Sequence, residues 1–167
     1  MSTRELPDAE ALVSELARQM RPAVSANTAL VGIRTGGAWI AERLHRELGI
    51  AVPLGTLDVS FYRDDYERRG LHANVKPSEI PFQVEGRDII LVDDVLYTGR
   101  TIRAAMNELF DYGRPASIRL AALVDRGGRE LPVAAQFMGA GVALAPGESI
   151  ELTRDSAGRF GLRLHRD

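Results

Sequence analysis

Asp93 and Asp94 stand side by side at the end of a short apolar run, Ile89-Ile90-Leu91-Val92, and are followed by Thr98, Gly99 and Thr101. Two adjacent carboxylates at the end of a buried strand are costly unless a ligand or partner takes up their charge. Such a pair can accept hydrogen bonds from the hydroxyls of a ribose. A glycine between hydroxyl side chains, just ahead of a helix, can wrap a phosphate with backbone N–H groups and O–H donors. The order strand, acidic pair, hydroxyl-and-glycine turn, helix predicts a sugar-phosphate site at the carboxyl edge of a parallel α/β sheet. The other reading, an ordinary strand ending in a polar turn, leaves the carboxylates without a reason.

Two further loops fall after apolar runs. Arg34-Thr35-Gly36-Gly37 follows Ala29–Ile33, where glycines let backbone N–H groups approach an anion and Arg34 adds positive charge. Taken alone it is equally a plain strand–turn–helix link. Asp125-Arg126-Gly127-Gly128 follows Leu123-Val124, and alone it is equally a solvated loop with an Arg–Asp pair. Arg63-Asp64-Asp65 opens a long polar stretch and by itself reads as a solvated charge cluster. His45, His72 and His165 have no metal-ligand spacing, and His45 lies within a helical pattern.

The elements that must position these residues alternate. Pro7-Asp8 starts a helix with Leu12, Val13, Leu16 and Met20 on one face, disturbed at Arg21-Pro22. Strands are predicted over Ala29–Ile33, Pro53–Phe61, Asp88–Val92 and Ser117–Val124, with helices over Ala38–Leu48 and Thr101–Tyr112. Strands near Glu148–Leu152 and Arg159–Leu164 flank the turn Asp155–Gly158, a predicted hairpin. Alternation of this kind argues for a mostly parallel central sheet flanked by helices. The polar stretch at about 62–78 is long for a structureless loop in a compact domain, which marks a functional lid or disorder.

Composition sets the outer limits. A chain of 167 residues, 45% hydrophobic and 26% charged, is read as one globular domain, 1–167. No run approaches the roughly 20 apolar residues of a membrane span. The first residues are charged and lack the apolar centre of a signal peptide, and there is no cysteine, so a cytoplasmic location without disulfide or thiolate chemistry is expected. A net charge of −2 gives no global attraction for nucleic acid, although a local basic face is compatible with it.

The segment DIILVDDVLYTGRT resembles the phosphoribosyl pyrophosphate (PRPP) signature of type I phosphoribosyltransferases. With LDVSFYRDD before it and GRPASIRLAALVDRGGRELPV after it, the chain from about Ala29 to Gly139 resembles the PyrR family, which joins uracil phosphoribosyltransferase activity to attenuation of pyrimidine operons. The resemblance implies a type I phosphoribosyltransferase fold with a flexible lid at about 62–78 and a small C-terminal hood or hairpin at about 140–167. It implies that PRPP lies on Asp93, Asp94, Val95, Leu96, Tyr97, Thr98, Gly99, Arg100 and Thr101, and its pyrophosphate on Arg34, Thr35 and Gly36, with a strained or cis peptide near Arg34-Thr35. Asp93, Asp94 and Arg63 would be catalytic, and Val124, Asp125, Arg126 and Ile150 would meet the base. Mg²⁺ would be held through the substrate, with Asp93 and Asp94 nearby and no direct protein ligand set. Implied partners are uracil, PRPP, UMP or UTP, a pyrimidine-operon mRNA leader, and further copies of the chain in a dimer or larger assembly, with no membrane.

The sequence departs from the family pattern in two places. Gly36 stands where a second basic residue is usual, and Gly128 where histidine is usual. The stretch Ala140–Asp167 matches poorly. One rival is an RNA-binding attenuator whose nucleotide site is only a sensor. Its basic surface would draw on Arg119, Arg126 and Arg129, while Glu10 and Glu15 oppose Arg18 and Arg21 in the first helix. Another is a purine or orotate phosphoribosyltransferase, which shares the PRPP signature but not the flanking segments.

Overall fold

Five strands form one parallel sheet in the order β2-β1-β3-β4-β5, and two more form an antiparallel hairpin, β6-β7. The computed structural model describes residues 5–59 and 78–167. The expected lid, the strand end at Phe61, and the candidates Arg63 and His72 lie outside the described residues, apart from Ser78 at the lid's end. In chain order the elements are α1 (Ala9–Met20), a 3₁₀ turn (Arg21–Ala23), β1 (Thr28–Ile33), α2 (Gly36–Glu47), β2 (Gly55–Leu57) and β3 (Asp88–Leu96). They continue with α3 (Arg100–Phe110), β4 (Ser117–Asp125), β5 (Phe137–Gly141), β6 (Glu148–Arg154) and β7 (Phe160–Arg166).

All six residues of β1 are buried, as a central parallel strand covered on both faces requires. The sheet splits the core into two layers. Leu30, Ile90, Val92, Ala121 and Leu123 pack against α1 and α2 through Leu16, Met20, Ile40 and Leu44. Val31, Ile33, Ile89, Leu91 and Ala122 pack on the other side against Ile102, Ala105 and Leu109 of α3. Asp8 caps α1 by accepting from the Ala11 N–H, and the 3₁₀ turn at Arg21-Pro22 ends it, as proline there dictates.

Several boundaries differ from the expectation, each for a physical reason. β3 runs through the acidic pair to Leu96, because Asp93 and Val95 stay in register with Ala122 and Val124 of β4. α2 begins at Gly36, so the glycines form its first turn and are not a loop ahead of it. A Cβ on Gly37 would stand 2.4 Å from the Val92 carbonyl oxygen, so glycine lets the helix start rest directly on β3. The first edge strand, β2, covers only Gly55–Leu57, with Pro53 just before it, β1 as its one strand neighbour and a single bridge from Thr56 to Glu79 on its other side. The other edge, β5, was not anticipated. It pairs with β4, and Gln19 of α1 holds it by donating to the Met138 carbonyl and accepting from the Met138 N–H. Ala140 and Gly141 therefore belong to the sheet, and the hood begins later, at the β6–β7 hairpin.

That hairpin docks on α1 and α2. Arg43 donates to Glu10 and to the Gly158 carbonyl, the Phe160 N–H donates to Glu10, and the Arg43 guanidinium lies 4.6 Å from the Phe160 ring centre. Glu10 thus faces the hood and leaves Arg18 to pair with Glu15 alone. Arg154 adds a contact over the Trp39 ring at 4.4 Å. His45 is structural, as expected: its Nε2 donates to the Val52 carbonyl. Among the described residues no helix is long and apolar enough to cross a membrane.

Candidate active site

A cavity of about 650 Å³ opens at the carboxyl ends of β1, β3 and β4, roofed by the hairpin. It is lined by Thr35, Gly36 and Trp39 from α2 and the turn before it, by Asp93, Asp94, Val95, Tyr97 and Thr101 from β3 and its following turn, and by Arg126 after β4. The hood contributes Gly147 to Leu152 and His165.

The acidic pair is set by its own backbone. Asp93 Oδ1 accepts from the Asp94 N–H, and Asp94 Oδ1 accepts from the Val95 N–H, each at 2.9 Å. Asp93 is buried, and Asp94 reaches the α2 start, where its Oδ2 would be 2.2 Å from a Cβ on Gly36. The peptide between Arg34 and Thr35 is cis, at the expected position.

The turn after β3 is braced from behind. The Thr98 carbonyl accepts from Glu130 and Leu131 N–H groups, and Thr98 Oγ1 accepts from the Arg100 N–H. Gly99, at φ +96°, makes the left-handed step into α3. Thr101 is left on the cavity wall at the helix N-terminus, where the helix dipole favours an anion.

The base loop is braced by Arg129. Its guanidinium donates to the Tyr97 carbonyl, the Val133 carbonyl and Asp125. Burial acts to raise the Asp125 pKa, but the Arg129 hydrogen bond, the Gly127 N–H and the Arg129 charge outweigh it and hold the carboxyl below its ordinary value. Arg126 lies instead with its guanidinium 3.8 Å from the Tyr97 ring centre. The same ring also meets Gly128, where a Cβ would be 2.6 Å from Tyr97 Cε1. At φ +85° the position also suits glycine, so a histidine here is incompatible with this placement of Tyr97.

The hood presents a strand edge. Asp155 and Arg159, and Gly147 and Asp167, are hydrogen-bonded pairs at the two ends of the hairpin. Strict alternation then turns the N–H and C=O groups of Glu148, Ile150 and Leu152 away from β7 toward the edge that no described strand covers. The Glu148 N–H accordingly bonds Ala145 and not β7.

The cavity therefore unites Thr35, Gly36, Asp93, Asp94, Val95, Tyr97, Thr101, Arg126 and Ile150. The other nominated residues stand behind it. Leu96 and Val124 are core, Thr98 and Gly99 shape the turn, and Asp125 is held by Arg129. Arg100 points outward to Glu130, so it does not bring its charge to the phosphate turn. Arg34 donates to Thr56 and faces Glu79 at 3.7 Å. Trp39 and His165 on the cavity wall were not foreseen. Trp39 lies one helical turn beyond Gly36, a spacing that would have placed it on the same face.

A parallel sheet whose central strand carries an acidic pair in its carboxyl half, followed by a phosphate-type helix start, defines a type I phosphoribosyltransferase. Residues 2–140 match the family model described as phosphoribosyl transferase domain. The fold is shared with a hypoxanthine-guanine phosphoribosyltransferase from Bacillus anthracis, at TM-score 0.66 and 20% identity over 89% of this chain and 88% of that one. It is also shared with the Leishmania tarentolae enzyme in complex with GMP, at TM-score 0.63 and 19% identity over 90% and 85%. The proteins named Bifunctional protein PyrR are far more similar in sequence. That of Pseudomonas entomophila is 52% identical, covering 89% of this chain and 88% of its own, and that of Nitrosococcus oceani 56%, covering 81% and 77%. The chain belongs to the PyrR family of phosphoribosyltransferases.

Proposed function

We propose that this chain transfers the phosphoribosyl group of PRPP to N1 of uracil, giving UMP and pyrophosphate, and that its nucleotide state also serves PyrR-type regulation. The observation that carries this reading is the meeting of the acidic pair, the α3 N-terminus, the Thr35-Gly36 turn and the hood edge in one cavity. Asp93 and Asp94 accept from the ribose hydroxyls. Thr101 and the first N–H groups of α3 take the 5′-phosphate, and the Thr35-Gly36 turn, backed by Arg34, takes the pyrophosphate. Uracil lies between Val95 and the Ile150 edge, whose N–H and C=O complement its alternating acceptor and donor edge.

No protein nucleophile is needed, because the ribose carbon passes through an oxocarbenium-like state and positioning and charge stabilisation supply the catalysis. Among the described residues no cluster of three His, Cys, Asp or Glu could hold a metal, and the carboxylates on the cavity wall are the acidic pair of β3 with Glu148 and Glu151 of the hood. This donor set fits Mg²⁺ carried mainly by PRPP oxygens and water beside Asp93 and Asp94. When bound, Mg²⁺ offsets the charge that develops on the pyrophosphate. The chain is read as one domain, with 62–78, including Arg63, as the lid that excludes water and the hairpin as the hood. A homo-oligomer in the cytoplasm follows from the family.

Pyrophosphate release from PRPP, measured in parallel with uracil, guanine, hypoxanthine and orotate, tests the reading. Release with uracil well above the other three is expected. Faster release with a purine or orotate would overturn it.

The relatives' name, Bifunctional protein PyrR, favours an RNA role as a second function. Of the three arginines nominated for it, two are engaged elsewhere: Arg126 lines the cavity and Arg129 is bound to three internal acceptors, while Arg119 is exposed. RNA affinity should therefore be weak and fall steeply with salt, at a log–log slope of about −0.7 to −0.9 per phosphate contact. Tight, UMP-stimulated shift of a pyrimidine-operon leader at physiological salt would reverse the ranking of the two functions.

A further inference from the structure

Helix α2 and the hairpin exchange rings and guanidinium groups. Trp39 and Arg43 stand four residues apart on α2, and therefore on one face of it. Arg154 and Phe160 are direct partners across β6 and β7. The Arg43 guanidinium lies 4.6 Å from the Phe160 ring centre, and the Arg154 guanidinium 4.4 Å from that of Trp39. Each element thus offers one ring and one cation, and each ring meets the other element's cation. The two halves differ in what else holds them. Arg43 also donates to Glu10 and to the Gly158 carbonyl. Arg154 is exposed, and among the described residues its guanidinium has no carboxylate partner, only the Trp39 ring. Trp39 in turn reaches the cavity wall, together with Gly36 one turn before it and with Ile150 and Leu152 of β6. Side chains alternate along a strand, so Ile150, Leu152 and Arg154 share one face of β6. Arg154 lies about 13 Å along the strand from Ile150. The near end of β6 is tied by Glu148, which accepts from the Ala145 N–H and from Arg166. The far end is tied through β7 by Arg43 and Phe160, and on β6 itself by the stack on Trp39.

Resting on the uracil reading above, we propose that Arg154, acting through Trp39, is a positioning residue for the base: the stack sets where the Ile150 edge of β6 stands over the acidic pair. Arg154 touches neither substrate. Its effect is on how well the base is held, and not on the ribose carbon or the departing pyrophosphate. An exposed cation without a carboxylate adds little to global stability, so what the contact fixes is local. The ring it fixes is part of the cavity wall, which makes that local effect one on the site.

Arg154→Met keeps the apolar stem and removes the charge. It should raise KM for uracil roughly 3- to 10-fold, the worth of one partly desolvated cation–π contact, while kcat and KM for PRPP stay within about twofold. Arg154→Lys, which restores a cation over the ring, should recover most of the loss. In a Trp39→Leu background Arg154→Met should cost uracil less than about twofold, because the two residues act through one contact. Trp39 is the only tryptophan in the chain, so its emission reads the cavity wall directly. UMP should change that emission, and calorimetry should find UMP binding weakened by Arg154→Met with ribose 5-phosphate binding unchanged. Equal weakening of the two ligands, weakening of neither, full additivity with Trp39→Leu, or emission blind to bound UMP would overturn the assignment. A wild-type chain that prefers another base would overturn the uracil reading instead, and the same comparison made with that base's nucleotide would still decide the role of Arg154.

Discussion

The carboxylate of Asp94 packs against the α-carbon side of Gly36, so closely that a Cβ there would lie 2.2 Å from Oδ2 and 2.7 Å from Cγ. In the proposed function one residue meets the sugar and the other belongs to the pyrophosphate turn, so a side chain added at position 36 would move Asp94. The missing basic side chain at position 36 is thus the condition for this placement of Asp94.

Gly36→Ala should therefore leave the fold intact and displace Asp94. The obstacle is a side chain that can rotate, and φ at Gly36 is not in the left-handed region. Misplacing a reacting group by about an ångström costs on the order of 10²-fold, and that is the loss expected in kcat/KM for PRPP. Circular dichroism with steady-state kinetics checks it, and unchanged kinetics would mean that Asp94 works from another rotamer.

Asp94→Asn keeps the shape and removes the charge that meets the ribose. Turnover at saturating PRPP should fall by about 10²-fold or more with the melting temperature little changed. The double variant with Gly36→Ala should lose less than the product of the two single losses, because both act on one carboxylate. Full additivity in that cycle would separate the two effects.

The hood should be sensitive to acid through Glu10. Hydrogen bonding from Arg43 is the main influence holding its pKa below the ordinary 4.5, against a smaller opposing effect of burial and with help from the Phe160 N–H. A carboxyl depressed in the folded state contributes stability that is complete above its unfolded value and is lost as pH falls through the folded one. Glu10→Gln should thus lower stability by ~1 kcal/mol at neutral pH, with the two proteins converging below about pH 4.5. Thermal melts from neutral to acidic pH would show it. A gap that stays constant to acid would remove the Glu10 charge from the account.

Arg129→Ala would strip three acceptors of their donor at once and leave Asp125 half-buried and unpaired. Destabilisation of ~2 kcal/mol is expected, with a higher KM for uracil as the Tyr97–Arg126 stack loosens. Arg129→Lys should recover little, since one ammonium cannot span three divergent acceptors as the planar fork does. Urea unfolding midpoints for the three proteins measure this. Wild-type stability in the alanine variant would show that the brace is redundant.

What could be read beforehand follows from how local each signal is. β1 and the first half of β3 are branched apolar runs and α1 carries its cap and its proline, so these elements were legible in the sequence, although β3 runs four residues past its expected end at Val92. β5, Phe-Met-Gly-Ala-Gly, has no branched residue and no alternation, and it is a strand because β4 and Gln19 make it one. The acidic pair was named in advance from the fixed order of strand, carboxylates and turn, and the cis peptide and Arg126 from the resemblance to the family. That Arg100 turns to Glu130 and that Trp39 and His165 reach the cavity depend on groups tens of residues away, which spacing does not encode, and Asp125 is taken by Arg129 four residues on through a loop whose path no periodicity sets.

The strand that carries Asp93 and Asp94 is the middle one of five, paired on both sides from Asp88 to Val92 and with β4 alone beyond that. β2 and β5 have a single neighbour each and can peel away in small fluctuations, whereas exposing the amides of β3 demands that the molecule come apart. The stretch that leads into the two carboxylates consequently has the lifetime of the native state itself. A molecule whose edges or hood have frayed still holds the base of the acidic pair in place, and it regains the cavity by re-docking its margins onto a centre that never melted.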